Sequence, residues 1–221
     1  MARQGALQTI RALLMGRFSA QPAWALLTEV FIGIGWLRAA VEKLIDPAWW
    51  TGQVVTDFVE SHLDSSLGWY SAFASELVVP TATVVALVVV VAQLVAAGGL
   101  ISGRRLGAAI GIGIFLNLNF MAAGAVNPSA FYLLAQGSLL LWMAERRPTL
   151  AARRGLGIAA LVAGVLGLIS LPFVSTLHPA LVIDDPAVMF VTGGILTVLA
   201  CFRAGVSVAS ARQRHNPSSE P

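Results

Sequence analysis

Residues 78–101, VVPTATVVALVVVVAQLVAAGGLI, run for 24 positions without one charged side chain. At 1.5 Å per residue a helix of this length crosses a hydrocarbon core about 30 Å thick, whereas the strands of an outer-membrane barrel are only about 10 residues long and alternate in polarity. Similar windows lie at 24–45, 106–124, 128–144, 155–173 and 187–204. The expected fold is therefore all-α, a polytopic bundle of six transmembrane helices. Composition agrees: 57% of the 221 residues are apolar and 11% charged, against about 25% charged in a soluble domain. Ten prolines and 21 glycines exclude a coiled coil.

The charges report topology. Arg3, Arg11 and Arg17 precede the first window; Arg104 and Arg105 follow the second; Arg146, Arg147, Arg153 and Arg154 follow the fourth; Arg203, Arg212 and Arg214 close the chain. In a six-span fold all of these fall on one side. The opposite loops hold Asp46, Asp57, Glu60, Asp64, Glu76, Asp184 and Asp185 and no Lys or Arg. The positive-inside rule then places both termini in the cytoplasm of a plasma membrane. It also accounts for the net charge of +3 without nucleic acid as a partner.

Local signals divide the chain further. Arginines interrupt the apolar positions of residues 1–22, which predicts an amphipathic segment on the cytoplasmic lipid surface rather than a secretory signal. Asp46-Pro47 is a cap followed by a proline suited to the first helical position. With Trp49, Trp50, Val54, Val55, Phe58 and Val59 behind it, it predicts an interfacial helix over 47–62 whose tryptophans join the outer aromatic belt. Asn127-Pro128 and Asp185-Pro186 predict the same start for the fourth and sixth spans. Residues 206–221 read as a disordered cytoplasmic tail. Gly107 and Gly111 form a G-x-x-x-G spacing that predicts close helix contact, with Gly113 on an adjacent face.

One cysteine, Cys201, excludes an intramolecular disulfide and an iron–sulfur cluster held by this chain alone. His62, His178 and His215 lie in separate segments without metal-ligand spacing, so neither a metal nor a haem is expected. Function is instead sought among polar groups at membrane depth, where a charge costs about 2.5–3.5 kcal/mol. Arg38 and Glu42 share a face of the first span, and Glu29 lies about half a revolution away. The pair reads either as a neutralised lock on neighbouring helices or as a ligand site, and Glu29 as a group bonding a neighbour or reaching the interface. Asn117 and Asn119 lie at a depth close to that of Arg38, but about 200° apart, so only one can face a given pocket. Ser129, Tyr132 and Gln136 form one polar stripe on the fourth span. The candidate ligand groups are thus Arg38, Glu42, Asn117, Asn119, Tyr132 and Gln136, all within 24–145. The fifth and sixth spans offer only Ser170, Thr192, Thr197 and Cys201 as internal polar groups.

Three motifs carry a family resemblance over about residues 24–145: Gly33 and Gly35 leading to Glu42-Lys43-Leu44 and Asp46-Pro47; Gln93 through Gly99 and Gly103 to Arg104; and Asn117-Leu118-Asn119-Phe120-Met121 with Ala123-Gly124 and Asn127-Pro128. In these the chain resembles the DoxX/DoxD family of bacterial and archaeal membrane proteins. Many relatives carry glutamate where Gln93 aligns, and their core has four spans. The resemblance implies a four-helix core over 23–148, extended here by a transmembrane hairpin over 149–205. It also implies quinone-linked redox chemistry of the thiosulfate or thiol and oxidative-stress type, beside a second oxidoreductase subunit. Quinone is then the substrate and no cofactor is covalently bound. Two other readings stand beside it: a non-enzymatic scaffold that anchors a partner or a second copy of itself, and a small transporter using the Arg38–Glu42 pair.

Overall fold

The computed structural model describes residues 20–147, 149–178 and 181–215, and among these every regular element is helical. Helix α1 spans Ala23–Ile45; α2, α3 and α4 are short helices at Pro47–Trp50, Gln53–His62 and Gly68–Phe73; α5 spans Ala82–Ser102, α6 Leu106–Ala122, α7 Val126–Arg146, α8 Leu150–Ser170 and α9 Pro186–His215. Among the described residues four stretches are helical, long and apolar enough to cross a membrane: Ala23–Ile45, Ala82–Ser102, Leu150–Phe173 and Pro186–Ser207. Helix α6 is apolar but has only 17 residues. Helix α7 has the length, at 21 residues, but Ser129, Gln136, Glu145 and Arg146 lower its hydropathy. Leu27, Ile34, Leu134, Leu161, Leu168, Leu196 and Phe202 all stand exposed on the outside of the bundle. A surface that is apolar on every long helix suits a lipid bilayer, not water.

The first four long helices pack as neighbours in chain order, with α1 against α5, α5 against α6, and α6 against α7. Glycines decide how closely. A methyl on Gly33 would lie 2.7 Å from Ile101 Cγ1, and one on Gly99 would lie 2.5 Å from Ala109 Cβ, so α1–α5 and α5–α6 meet where a side chain is missing. The predicted G-x-x-x-G contact is not formed: a Cβ on Gly111 meets nothing within 4 Å, and one on Gly107 only Met143 at 3.8 Å. Gly113, on the neighbouring face, makes the close approach instead. The hairpin α8–α9 is zipped in the same way by Gly167 against Phe190 O and Gly194 against Ala163 O.

At one end of the bundle residues 46–78 form a cover. Asp46 caps α2 by accepting from Ala48 N at 2.9 Å. The single interfacial helix expected over 47–62 is broken at Gly52, whose φ of 81° is left-handed and which sits against the backbone of Ala82 and Thr83. That break turns Trp49 inward: it is buried and donates from Nε1 to Ala86 O at 3.0 Å, while Trp50 alone remains exposed as a belt residue. Further along, Leu67 N donates to Ala122 O at 2.9 Å, and a π-helical turn at Ala74–Val78 leads through Pro80 into α5. The α-helix of the second apolar window therefore starts only at Ala82, four residues later than its composition suggests.

Asn127 does not cap α7, which begins at Val126; its amide donates to Asp184 Oδ1 at 2.8 Å and ties α7 to the loop before α9. Asp185 behaves as expected. Its Oδ1 accepts from Ala187 N at 2.8 Å and Val188 N at 3.2 Å, and its Oδ2 accepts from Ser175 N, Ser175 Oγ and Thr176 N. Burial works to raise this carboxyl, but the Ser175 hydroxyl and the backbone amides outweigh it and hold the group below the usual carboxylate range. The hairpin also meets the cover, where Phe173 lies over Gly68 and the Phe190 and Trp69 rings meet edge-on at 6.4 Å. Helix α9 continues to His215, past the point at which a disordered tail was expected to begin. The amphipathic segment expected over 1–22 lies, but for 20–22, outside the described residues.

At the opposite end α5 and α6 are joined by Gly103-Arg104-Arg105. Gly103 and Arg105 both take left-handed conformations, with φ of 68° and 49°. For an arginine this costs about 1–2 kcal/mol relative to an ordinary turn residue.

Candidate functional site

At mid-depth the packing of α5, α6 and α7 holds a layer of buried amides. Gln93 on α5, Asn117 on α6 and Gln136 on α7 are at most 2% exposed, and Asn117 Nδ2 donates to Gln136 Oε1 at 3.2 Å. The antiparallel register set by Gly99 against Ala109 brings Gln93 level with Phe115, half a turn from Asn117. From α1, Trp36 enters the same layer, buried and stacked on the Tyr132 ring at 5.9 Å with an interplanar angle of 24°. Gly113 makes room for it. A methyl there would collide with Gln136 Nε2 and lie 3.0 Å from Trp36 Nε1, so two N–H donors from different helices meet over one glycine.

Among the described residues neither Gln136 Nε2 nor Trp36 Nε1 has a hydrogen-bond partner, and Gln93 Oε1 has none either. Leaving a buried polar group unpaired costs about 1–3 kcal/mol, so several in one layer call for a function or a ligand. Glu29 is fully buried on the same face of α1 as Trp36, two turns nearer the arginine-bearing end.

The sequence candidates divide accordingly. Asn117, Gln136 and Tyr132 come together; Tyr132 is half-buried, with its phenol against Gly35. Asn119 points elsewhere, as its 200° offset requires: its Nδ2 donates to Phe115 O at 2.8 Å and its Oδ1 accepts from Tyr70 OH at 3.3 Å, which fastens the cover. Burial pushes the Tyr70 phenol up, so it remains a donor at neutral pH. Arg38 and Glu42 do not join the layer. They form an ion pair at 2.8 Å on the outer face of α1, with side chains 78% and 56% exposed. The buried face of α1 carries Ala25, Glu29, Ile32, Trp36 and Ala40, and Arg38 lies about 200° from Trp36. The similar depth of Arg38, Asn117 and Asn119 predicts that Arg38 and at least one of the two asparagines line one pocket, but Arg38 stands on the outside of α1 and Glu29 faces inward instead.

Trp36 and Glu29 are not among the sequence candidates for the layer, and Gln93 enters there only through the family motif. For the two α1 residues the signal lies in the recurrence of Ala25, Glu29, Ile32, Trp36 and Ala40 at intervals of three and four, which puts the glutamate and the tryptophan on one stripe with two alanines and an isoleucine.

Aromatic rings line the seam between α1 and α7. Phe31 meets Phe131 edge-on at 6.3 Å and lies 6.4 Å from Tyr132, and both phenylalanines are more than half exposed on the outside of the bundle. The whole defines an all-helical protein of a lipid bilayer whose interior holds neutral hydrogen-bond donors behind an aromatic seam. Comparison with protein-family models, with curated proteins and with solved structures finds no match for this chain.

Proposed function

We propose that the chain is a DoxX/DoxD-like membrane subunit of a quinone-linked oxidoreductase complex, with six spans, both termini in the cytoplasm of a bacterial or archaeal plasma membrane, and the cover on the outer surface. The observation that carries the reading is the convergence of Trp36 Nε1 and Gln136 Nε2, buried and unpartnered, over Gly113. A quinone carbonyl is an acceptor only, so two neutral N–H donors match one of its oxygens, and they favour the charge that develops there on reduction. The seam at Phe31 and Phe131, with Tyr132 behind it, suits access from the lipid. The electrons come from a second subunit handling thiosulfate or a thiol; taking up two electrons and two protons converts the quinone to the quinol.

Quinone in lipid extracts of the purified full-length protein tests this. Trp36→Phe and Gln136→Leu should each lower the bound quinone by at least fivefold, whereas Arg38→Leu with Glu42→Gln should leave it unchanged. Extracts without quinone, or loss confined to the Arg38 pair, would refute the proposal. Orientation is tested separately: a thiol introduced by Ser61→Cys should react with an impermeant reagent in intact cells, and one introduced by Ser218→Cys should not.

A further inference from the structure

An open apolar groove of about 700 Å³ runs along the outside of the bundle between α5 and α6. Its walls include Leu87, Val91 and Val95 from one helix and Ala108, Gly111 and Phe115 from the other. It lies on the face of each helix opposite the amide layer, since Val91 is exposed where Gln93 is buried and Gly111 is open where Gly113 is closed. It is therefore no part of the quinone site. Along α6 it extends seven residues, roughly 10 Å, from Ala108 to Phe115. The Ala108 end lies three residues, about 4.5 Å along the axis, from Arg105.

The turn at that end is strongly basic. Arg104 and Arg105 are both exposed, and among the described residues neither guanidinium has an ion-pair partner. Helix α6 begins there without a side-chain cap, so the positive end of its dipole adds to the two charges. Arg105 also sits in a left-handed conformation that glycine would adopt at no steric cost. An apolar channel that opens beside two unpaired arginines has the charge and polarity sequence of one ligand class, a hydrocarbon chain ending in an anionic group.

We infer that the α5–α6 groove holds an acyl chain of an anionic phospholipid, whose phosphate is bound by Arg104 and Arg105. Guanidinium groups pair with phosphate through paired N–H donors. Gly111 keeps the floor of the groove low enough for the chain, which gives this residue a role that the missing helix contact does not.

The full-length protein, delipidated in detergent, is titrated with phosphatidylglycerol or with phosphatidylcholine of the same acyl chains and examined by native mass spectrometry. The wild type should retain phosphatidylglycerol preferentially. Arg104→Gln with Arg105→Gln should lower that retention about 30-fold, since each basic residue near an anionic surface contributes about fivefold, or about 1 kcal/mol. Gly111→Phe, at a position where a Cβ meets nothing within 4 Å, fills the groove and should abolish retention of both lipids. Ala108→Phe, exposed at the groove's basic end, is a second filling variant and should do the same. Glycerol phosphate added in excess should displace nothing, because the chain supplies part of the binding. Equal retention of the two lipids by the wild type, an undiminished preference in the double arginine variant, displacement by glycerol phosphate, or full retention in folded filling variants would each overturn the inference. So would a wild-type dimer that Gly111→Phe dissociates, because a second copy would then occupy the groove.

Discussion

Replacing Asp185 tests the loop between α8 and α9 with the least ambiguity, because its two carboxylate oxygens serve different segments. Oδ1 caps α9 through Ala187 N and Val188 N, and loss of such a cap costs about 1 kcal/mol. Oδ2 gathers three donors from Ser175 and Thr176, the shortest at 2.7 Å. Hydrogen bonds to a charged group contribute about 1.5–3 kcal/mol, and because these share one oxygen they are counted once, at about 2 kcal/mol. Asp185→Ala should therefore cost about 3 kcal/mol in total. Asp185→Asn can keep the cap but turns an N–H toward donors, so it should lose about 2 kcal/mol of that sum. Hydrogen exchange of the amides in 174–190 is the assay, since the loss is local and the membrane-embedded hairpin persists.

The acid response follows from the same contacts. The folded carboxyl is held below its ordinary value of about 3.9, so its contribution is complete above that pH and fades as pH falls through the lower folded value. Protection of the amides in 174–190, meaning the exchange rate relative to the intrinsic rate at each pH, should fall in the wild type below about pH 4 and stay constant in Asp185→Asn. Asparagine exchanging as slowly as the wild type at neutral pH would refute the assignment of Oδ2, and an acid response that survives in the asparagine variant would assign the titration to another group.

Other substitutions separate the glycines and the amide layer. Gly113→Ala should destabilise by about 1–3 kcal/mol through overpacking against Gln136 and Trp36, whereas Gly111→Ala should be neutral or gain up to about 1 kcal/mol, both read by thermal unfolding in detergent. In a double-mutant cycle Asn117→Leu and Gln136→Leu should couple by about 0.6 kcal/mol, the usual worth of an interhelical hydrogen bond in lipid. Trp49→Phe keeps the ring but removes the bond to Ala86 O and should cost about 1 kcal/mol, with faster exchange over 47–62.

The long helices were legible because a run such as 78–101 has only one solution in hydrocarbon: its backbone must bond to itself. The tight helix starts at Asp46 and Asp185 were equally legible, since an acidic side chain beside proline has a local partner in its own first turn. What composition could not convey was which face of α1 turns inward. Arg38 and Glu42 looked like the costly residues, but they satisfy each other on the outside, and the buried glutamate is Glu29. The same limit applied to Asn127, whose partner lies 57 residues away, and to Trp49, which Gly52 turns toward α5. Each outcome depends on tertiary register, which a single helix does not encode.

The cover over the amide layer changes how concentration is to be reckoned. Trp49, Thr51, Leu67 and Tyr70 tie it at separate points to α5 and α6, which leaves the α1–α7 seam as the route to the interior that the proposed function requires. A molecule that arrives by that route is drawn from a two-dimensional reservoir. Its occupancy then follows its mole fraction among the lipids, and diluting the cells or the buffer leaves it untouched. Adding bilayer without the molecule would empty the protein, even with the total amount held constant.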